Sequence, residues 1–257
     1  MKIKFLGTSA GWPLPRLGCN CEICTSNDPK DKRTRTQILI DDSTLLDAGP
    51  ETYSHLLPLN VAHKLKTVLI SHAHPDHILG LWDLPHIYGR AENNVDNIQL
   101  RVTQPVLNNI KSTFFSQFQP IKVKVEKENI PFNVGNAKVT YVPVIHGKTP
   151  AYAIKYKDGK IFTYITDFNR ILPSSQTIIR DSYLLALDGS SLSKIGQSPS
   201  HISINDGIEI AKKLKAKLIY YIHIGHKTGT HKYLENYLKE NAGPNFHIAY
   251  DGLELNL

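Results

Sequence analysis

Four side chains of metal-ligand type fall within six residues: His72, His74, Asp76 and His77, in Ser71-His-Ala-His-Pro-Asp-His77-Ile-Leu-Gly80. They follow an apolar run, Val68-Leu69-Ile70, that reads as a strand. In extended backbone at the end of that strand, residues two apart project to the same side, so His72 and His74 face together. Pro75 suits the first position of a helix. Asp76 and His77 then fall in the helix's first turn, beside the loop histidines. Imidazole and carboxylate together suit zinc, manganese or iron. Four groups from one loop cannot all share one ion that keeps an open catalytic position. Two ions divide them naturally, with His72 and His74 on the first and Asp76 and His77 on the second. Two such ions roughly 3.5–4 Å apart can hold a hydroxide between them near neutral pH, which is hydrolytic chemistry.

A second cluster lies near the N-terminus. The chain's three cysteines, Cys19, Cys21 and Cys24, are spaced Cys-x-Cys-x-x-Cys. An odd, tightly grouped set is a poor disulfide framework and a better metal site, in keeping with a reducing compartment. A closed tetrahedral zinc site needs four nitrogen or sulfur ligands, so one must come from elsewhere in the chain.

The first motif resembles the signature of the metallo-β-lactamase superfamily, His-x-His-x-Asp-His followed by Gly. The resemblance implies a single-domain α/β fold over residues 1–257, an αββα sandwich, with three further ligands on loops after strands. His146 follows Val139-Thr-Tyr-Val-Pro-Val-Ile145, Asp167 follows Ile161-Phe-Thr-Tyr-Ile-Thr166, and His223 follows Leu218-Ile-Tyr-Tyr-Ile222. It implies His146 on the first ion, His223 on the second and Asp167 bridging both. Asp47-Ala-Gly49 matches a supporting Asp that hydrogen-bonds ligand imidazoles.

Within the superfamily, Gly18–Cys24 and His223-Ile-Gly-His226 resemble the PhnP-type phosphodiesterases, which act on phosphoribosyl 1,2-cyclic phosphate. The similarity runs from Gly7-Thr8 to Tyr250-Asp251-Gly252. It makes His226 the best fourth ligand of a structural zinc in a loop at residues 18–25. That zinc would pin Trp12–Thr25 beside the catalytic cleft. His201, in Ser198-Pro-Ser-His201, resembles an extra active-site histidine of the family, suited to protonating a leaving alkoxide. Asp76 would accept a hydrogen bond from the nucleophile besides holding the second ion. The implied reaction is hydroxide attack on a small cyclic phosphodiester, with two catalytic manganese or zinc ions and one structural zinc.

Three other functions compete. An RNA-processing nuclease of the tRNA 3′-end type shares the first motif, but the Gly/Pro-rich arm that grips tRNA has no counterpart here. A PqqB-like cofactor-biosynthesis protein shares the cysteine loop, although some forms lack one of the ligands complete here. A non-catalytic, metal-stabilised binding module would show degraded ligands.

The elements that must position these residues are short strands at Lys2–Leu6, Thr36–Ile40, Thr44–Leu46, Thr67–Ile70, Gln99–Thr103, Ala137–Pro143, Ala151–Lys157, Lys160–Thr166, Tyr183–Leu187, Lys217–Ile222 and His247–Tyr250. Asp158-Gly159 reads as a hairpin turn. Helical patterns cover Pro75–Trp82, Pro105–Phe118, Ser203–Lys215 and Gly229–Glu240, with Ser203 and Asp206 as a capping pair. At 257 residues and 41% hydrophobic, the chain can bury one large core. It lacks the apolar core of an export signal, so a cytoplasmic protein without a membrane partner is expected. The net charge of +7 suits an anionic substrate, a small phosphodiester first and RNA second. A homodimer is left open.

Overall fold

A computed structural model describes residues 1–87, 98–114, 122–193 and 200–257. The expected helix beyond Phe114, and Ser198-Pro199 of the His201 motif, lie outside the described residues.

Among the described residues, two sheets of seven strands each form. The first runs in chain order through β1 (Lys2–Gly7), β2 (Gln37–Ile40), β3 (Thr44–Leu46), β4 (Thr67–Leu69), β5 (Gln99–Thr103) and β6 (Lys122–Glu126). The second runs through β7 (Phe132–Val134), β8 (Ala137–His146), β9 (Thr149–Asp158), β10 (Lys160–Ile165), β11 (Leu184–Asp188), β12 (Leu218–Ile222) and β13 (Phe246–Ile248). The last strand, β14 (Glu254–Asn256), returns to pair with β1. Pairing is parallel from β3 to β6 and from β10 to β13, and antiparallel elsewhere. The helices are α1 (Glu22–Thr25), α2 (Thr52–Leu56), α3 (Pro75–Ile78), α4 (Gln104–Phe114), α5 (Pro173–Ile179), α6 (Ile204–Lys213) and α7 (His231–Asn241). α4 packs on the first sheet, and α5, α6 and α7 pack on the second, giving the expected αββα sandwich. No helix among the described residues is long and apolar enough to cross a membrane.

Side-chain alternation explains the layering. Successive residues of a strand point to opposite faces. In β10, Phe162 and Tyr164 enter the core between the sheets, whereas Ile165 enters the core beneath the helices. In β11, Leu184 and Ala186 face inward while Leu185 and Leu187 face the helices. Both faces are covered, so these strands read as continuous apolar runs rather than as alternating ones.

Every expected strand forms, with ends moved by at most three residues. Three strands carry no clear sequence signal: β6, β7 and β14 lie at sheet edges and are short or solvent-facing. β6, Lys-Val-Lys-Val-Glu, is held by its ladder to β5 rather than by a buried face. The short helices α1, α2 and α5 were likewise not legible. The Ser203–Asp206 capping box is present. The expected helix Pro75–Trp82 is α-helical only to Ile78 and then tightens to a 3₁₀ turn over Leu79–Trp82. Gly80 sets that change. Its amide donates to the Ala48 carbonyl at 2.8 Å, and an added Cβ would stand 2.1 Å from the Gly49 oxygen and 2.3 Å from Thr52 Oγ1.

Gly80→Ala should lower stability by about 3 kcal/mol through overpacking, measured by urea unfolding. His55 lies among Gln37 and Thr34, and burial lowers its pKa to about 4. The unfolded value is about 6.5. Between these values the unfolded chain binds more protons. Stability from this group is therefore complete above about pH 6.5 and is lost as pH falls towards about 4. The unfolding midpoint of His55→Gln should depend less steeply on pH across that window than that of the wild type. Equal slopes would contradict this.

Candidate metal centre and active site

The candidate donor residues gather at the carboxyl ends of strands, where open α/β sheets present their ligand sites. His72 and His74 follow β4, and Asp76 and His77 stand in the first turn of α3. His146 ends β8, Asp167 follows β10 and His223 follows β12. Asp167 and His223 turn out of their strands at φ 44° and 57°. Non-glycine residues seldom adopt this left-handed conformation, and such residues concentrate at functional sites.

The structure brings all seven residues together. The donor atoms of His72, His74, His146 and Asp167 lie within 4.8 Å of one another, and so do those of Asp76, His77, Asp167 and His223. Asp167 belongs to both groups. Its Oδ2 is 3.6 Å from His72 Nε2 and 3.7 Å from His146 Nε2. Its Oδ1 is 3.1 Å from His223 Nε2 and 3.4 Å from His77 Nε2. The Nε2 atoms of His72, His77 and His223 are buried without a hydrogen-bond partner among the described residues. Leaving buried polar atoms unpaired is costly, and a cation among them would satisfy them. The donor set therefore fits two divalent ions.

The remaining ring nitrogens are held by neighbours. Buried Asp47 accepts from His77 Nδ1 at 2.7 Å, from the Ser71 amide and hydroxyl at 2.7 and 2.8 Å, and from the Tyr164 hydroxyl at 2.7 Å. His146 Nδ1 donates to the Ser200 carbonyl at 2.7 Å, and Thr149 Oγ1 lies 3.1 Å from His74 Nε2. These contacts leave His77 Nε2, His146 Nε2 and His74 Nδ1 facing the centre. Burial disfavours a charged His77, yet Asp76, Asp167 and Asp47 raise its pKa well above the usual histidine value. Burial likewise opposes a charged His223, but Asp167 and Asp188 take it to about 10. His72 is driven well down by burial and by His77.

His201 enters the same centre. Its Nδ1 is 2.9 Å from Asp188 Oδ2 and its Nε2 is 3.9 Å from Asp167 Oδ2. Burial opposes its charged form, but Asp188 raises its pKa. Sequence reasoning did not single out Asp188 as the partner of His201. Its local context is that of Asp167, a carboxylate at the end of an apolar strand, here Leu184–Asp188, which by itself assigns no role.

The second cluster also assembles. The donor atoms of Cys19, Cys21 and His226 lie within 4.8 Å of one another. Cys24, the fourth expected ligand, is not in that group: it packs with Cys19 and Cys21 against Leu14 and Ile23, and its sulfur accepts from the Arg16 amide at 3.3 Å. Arg16 also stands 3.2 Å from His226 Nδ1. Trp12 and Arg16, just before the cysteine loop, and His226 form one wall of a cleft of about 690 Å³ that holds His74, Asp76, Asp167, His201 and His223.

The sequence and the fold are similar to those of known proteins. The family model described as the β-lactamase superfamily domain matches residues 42–224. An octanoyltransferase from Porphyromonas gingivalis is 29% identical over 266 aligned positions, covering 99% of this chain and 51% of that protein. The chain thus spans about half the length of that curated relative. A probable metallo-hydrolase from Bacillus subtilis, YhfI, is 26% identical over 98% of both chains. A crystal structure of a diphosphatase from the PhnP family superposes with a TM-score of 0.87 at 27% identity, covering 100% of this chain and 97% of that one.

If Asp47 orients His77 for metal, Asp47→Ala should weaken binding of the catalytic ions by about 10–100-fold in a chelator competition. Unchanged affinity would show Asp47 to be only a packing residue.

Proposed function

The chain belongs to the β-lactamase superfamily and is a metallo-hydrolase of that fold, and we propose that it cleaves a small phosphodiester with two divalent cations. The observation that carries this reading is the Asp167 carboxylate, which turns one oxygen to each of two donor groups. His72, His74 and His146 would hold one cation and Asp76, His77 and His223 the other, with Asp167 serving both. Manganese and zinc both suit such nitrogen and oxygen donors, whereas Cys19, Cys21, Cys24 and His226 would hold a structural zinc. When bound, the catalytic pair supplies Lewis acidity, activating water and neutralising charge on phosphoryl oxygens.

The protein's own groups do the rest. His201 Nδ1 is fixed by Asp188, so Nε2 is the atom that can hand a proton to the leaving alkoxide. Asp76, beside the cleft mouth, can accept a hydrogen bond from the attacking water. Arg16 and Lys227 line the same cleft and give it a positive rim suited to a phosphoryl group. A cleft of about 690 Å³ is of small-ligand size. The likeness to a PhnP-family diphosphatase supports a phosphorus centre, and a cyclic ester such as phosphoribosyl 1,2-cyclic phosphate is the specific candidate. The complete donor set disfavours a mere binding module, and the small cleft disfavours a tRNA-processing role.

The test combines metal analysis with turnover. Wild-type protein should carry about three metals per chain, two catalytic and one structural. It should hydrolyse bis-p-nitrophenyl phosphate and, faster, the 1,2-cyclic ribose phosphate. Asp167→Ala should lose catalytic metal and activity while keeping the cysteine-bound zinc. Three metals with no turnover of either ester would sink the phosphodiesterase reading, and one or none would sink the metal assignment.

A further inference from the structure

Trp12 is the least expected residue on the wall of the metal cleft. Its side chain is 65% exposed, although a large apolar ring ordinarily gains from burial. The backbone beneath it is firmly held. Ser9 Oγ donates to the Trp12 carbonyl at 2.7 Å, and Arg35 Nε donates to the Gly11 carbonyl at 2.9 Å. Further along, Leu14 and Arg33 exchange amide–carbonyl bonds at 2.7 and 2.9 Å. The solvent-facing indole is thus carried on a well-held stretch of backbone.

Two further observations give the indole a purpose. The Arg16 guanidinium lies 4.8 Å from the indole centroid, placing a cation over the ring. Trp12, Arg16, Arg35 and His226 line both the metal cleft and an adjoining pocket of about 720 Å³ that continues beneath the cysteine loop. A substrate with its phosphorus at Asp167 therefore has room to extend along Trp12 into the second pocket. Arg35 is engaged by Glu51, which leaves Arg16 and Lys227 as the cations facing such an extension.

We infer that Trp12 and Arg16 form a stacking subsite for a planar nitrogenous base, so that beside the ribose cyclic phosphate the cleft also takes small phosphodiesters that carry a nucleobase. This rests on the phosphodiester reading and widens it to base-bearing esters. Aromatic platforms beside guanidinium groups take bases in this way because every base presents a π-face. The well-held backbone lowers the ordering cost of stacking.

Binding tests the inference without turnover. The chain has two tryptophans, so W82F leaves Trp12 as the sole fluorophore. In the metal-loaded W82F protein, adenosine monophosphate should quench the fluorescence saturably, whereas ribose 5-phosphate, which has no base, should quench little. By titration calorimetry, the affinity ratio of adenosine monophosphate to ribose 5-phosphate should fall about tenfold in W12A and be retained in W12F. Equal quenching by both ligands, linear collisional quenching, or a ratio unchanged in W12A would overturn the inference. Loss of ester hydrolysis with saturable, base-dependent quenching would reject the phosphodiesterase reading and leave the base subsite standing.

Discussion

Asp167 sits almost fully buried with four imidazole nitrogens 3.1 to 3.7 Å from its two oxygens. A charge taken that far from water carries a penalty of several kcal/mol unless opposite charge surrounds it. The surroundings must therefore be complete, because removing any partner exposes the rest to that penalty. This accounts for the concentration of His72, His77, His146 and His223 around one carboxylate. It also accounts for Asp47 and Asp188, two further fully buried carboxylates that stand behind His77 and beside His201 and His223. The site is a balanced cluster of charge in which cations complete an arrangement the protein has already built.

That cluster needs strands from both sheets. His72 and His74 come from the first sheet, and His146, Asp167 and His223 from the second. Direct bonds stitch the two together at this end. The Tyr152 amide donates to the Ser71 carbonyl, and the Tyr164 hydroxyl reaches Asp47 across the core. Gly80 lets the turn after α3 press against Gly49, which keeps Asp47 and His77 in register. Packing density and electrostatics thus act on the same few residues.

The N-terminal loop ties the second cluster to the first. His223 and His226 leave one loop in different directions, towards the catalytic donors and towards Cys19 and Cys21. Gly11 passes so near the centre that an added Cβ would stand 3.2 Å from Asp76 Oδ2. Arg33, fully buried, reaches Thr8 and the Ala249 carbonyl and so joins the loop to the C-terminal segment. Whatever orders the cysteines therefore also shapes the wall of the cleft.

The sequence by itself determined the first half of the donor set, because His72, His74, Asp76 and His77 are local. Strand and helix periodicity alone turns them to one side. The apolar runs of the central strands and the Ser203–Asp206 cap were legible for the same reason. His146, Asp167 and His223 carry no local signature beyond ending a strand, and only resemblance placed them in the set. Tertiary structure decided what depends on neighbours distant in sequence. It made β6 a strand by pairing it with β5, although its side chains bury little. It set Asp188 behind His201, thirteen residues on. It laid Arg16 over Trp12 beside the metal donors, a contact that no spacing in the sequence shows. The difference is physical: periodicity acts over a few residues, whereas burial and charge balance act through space.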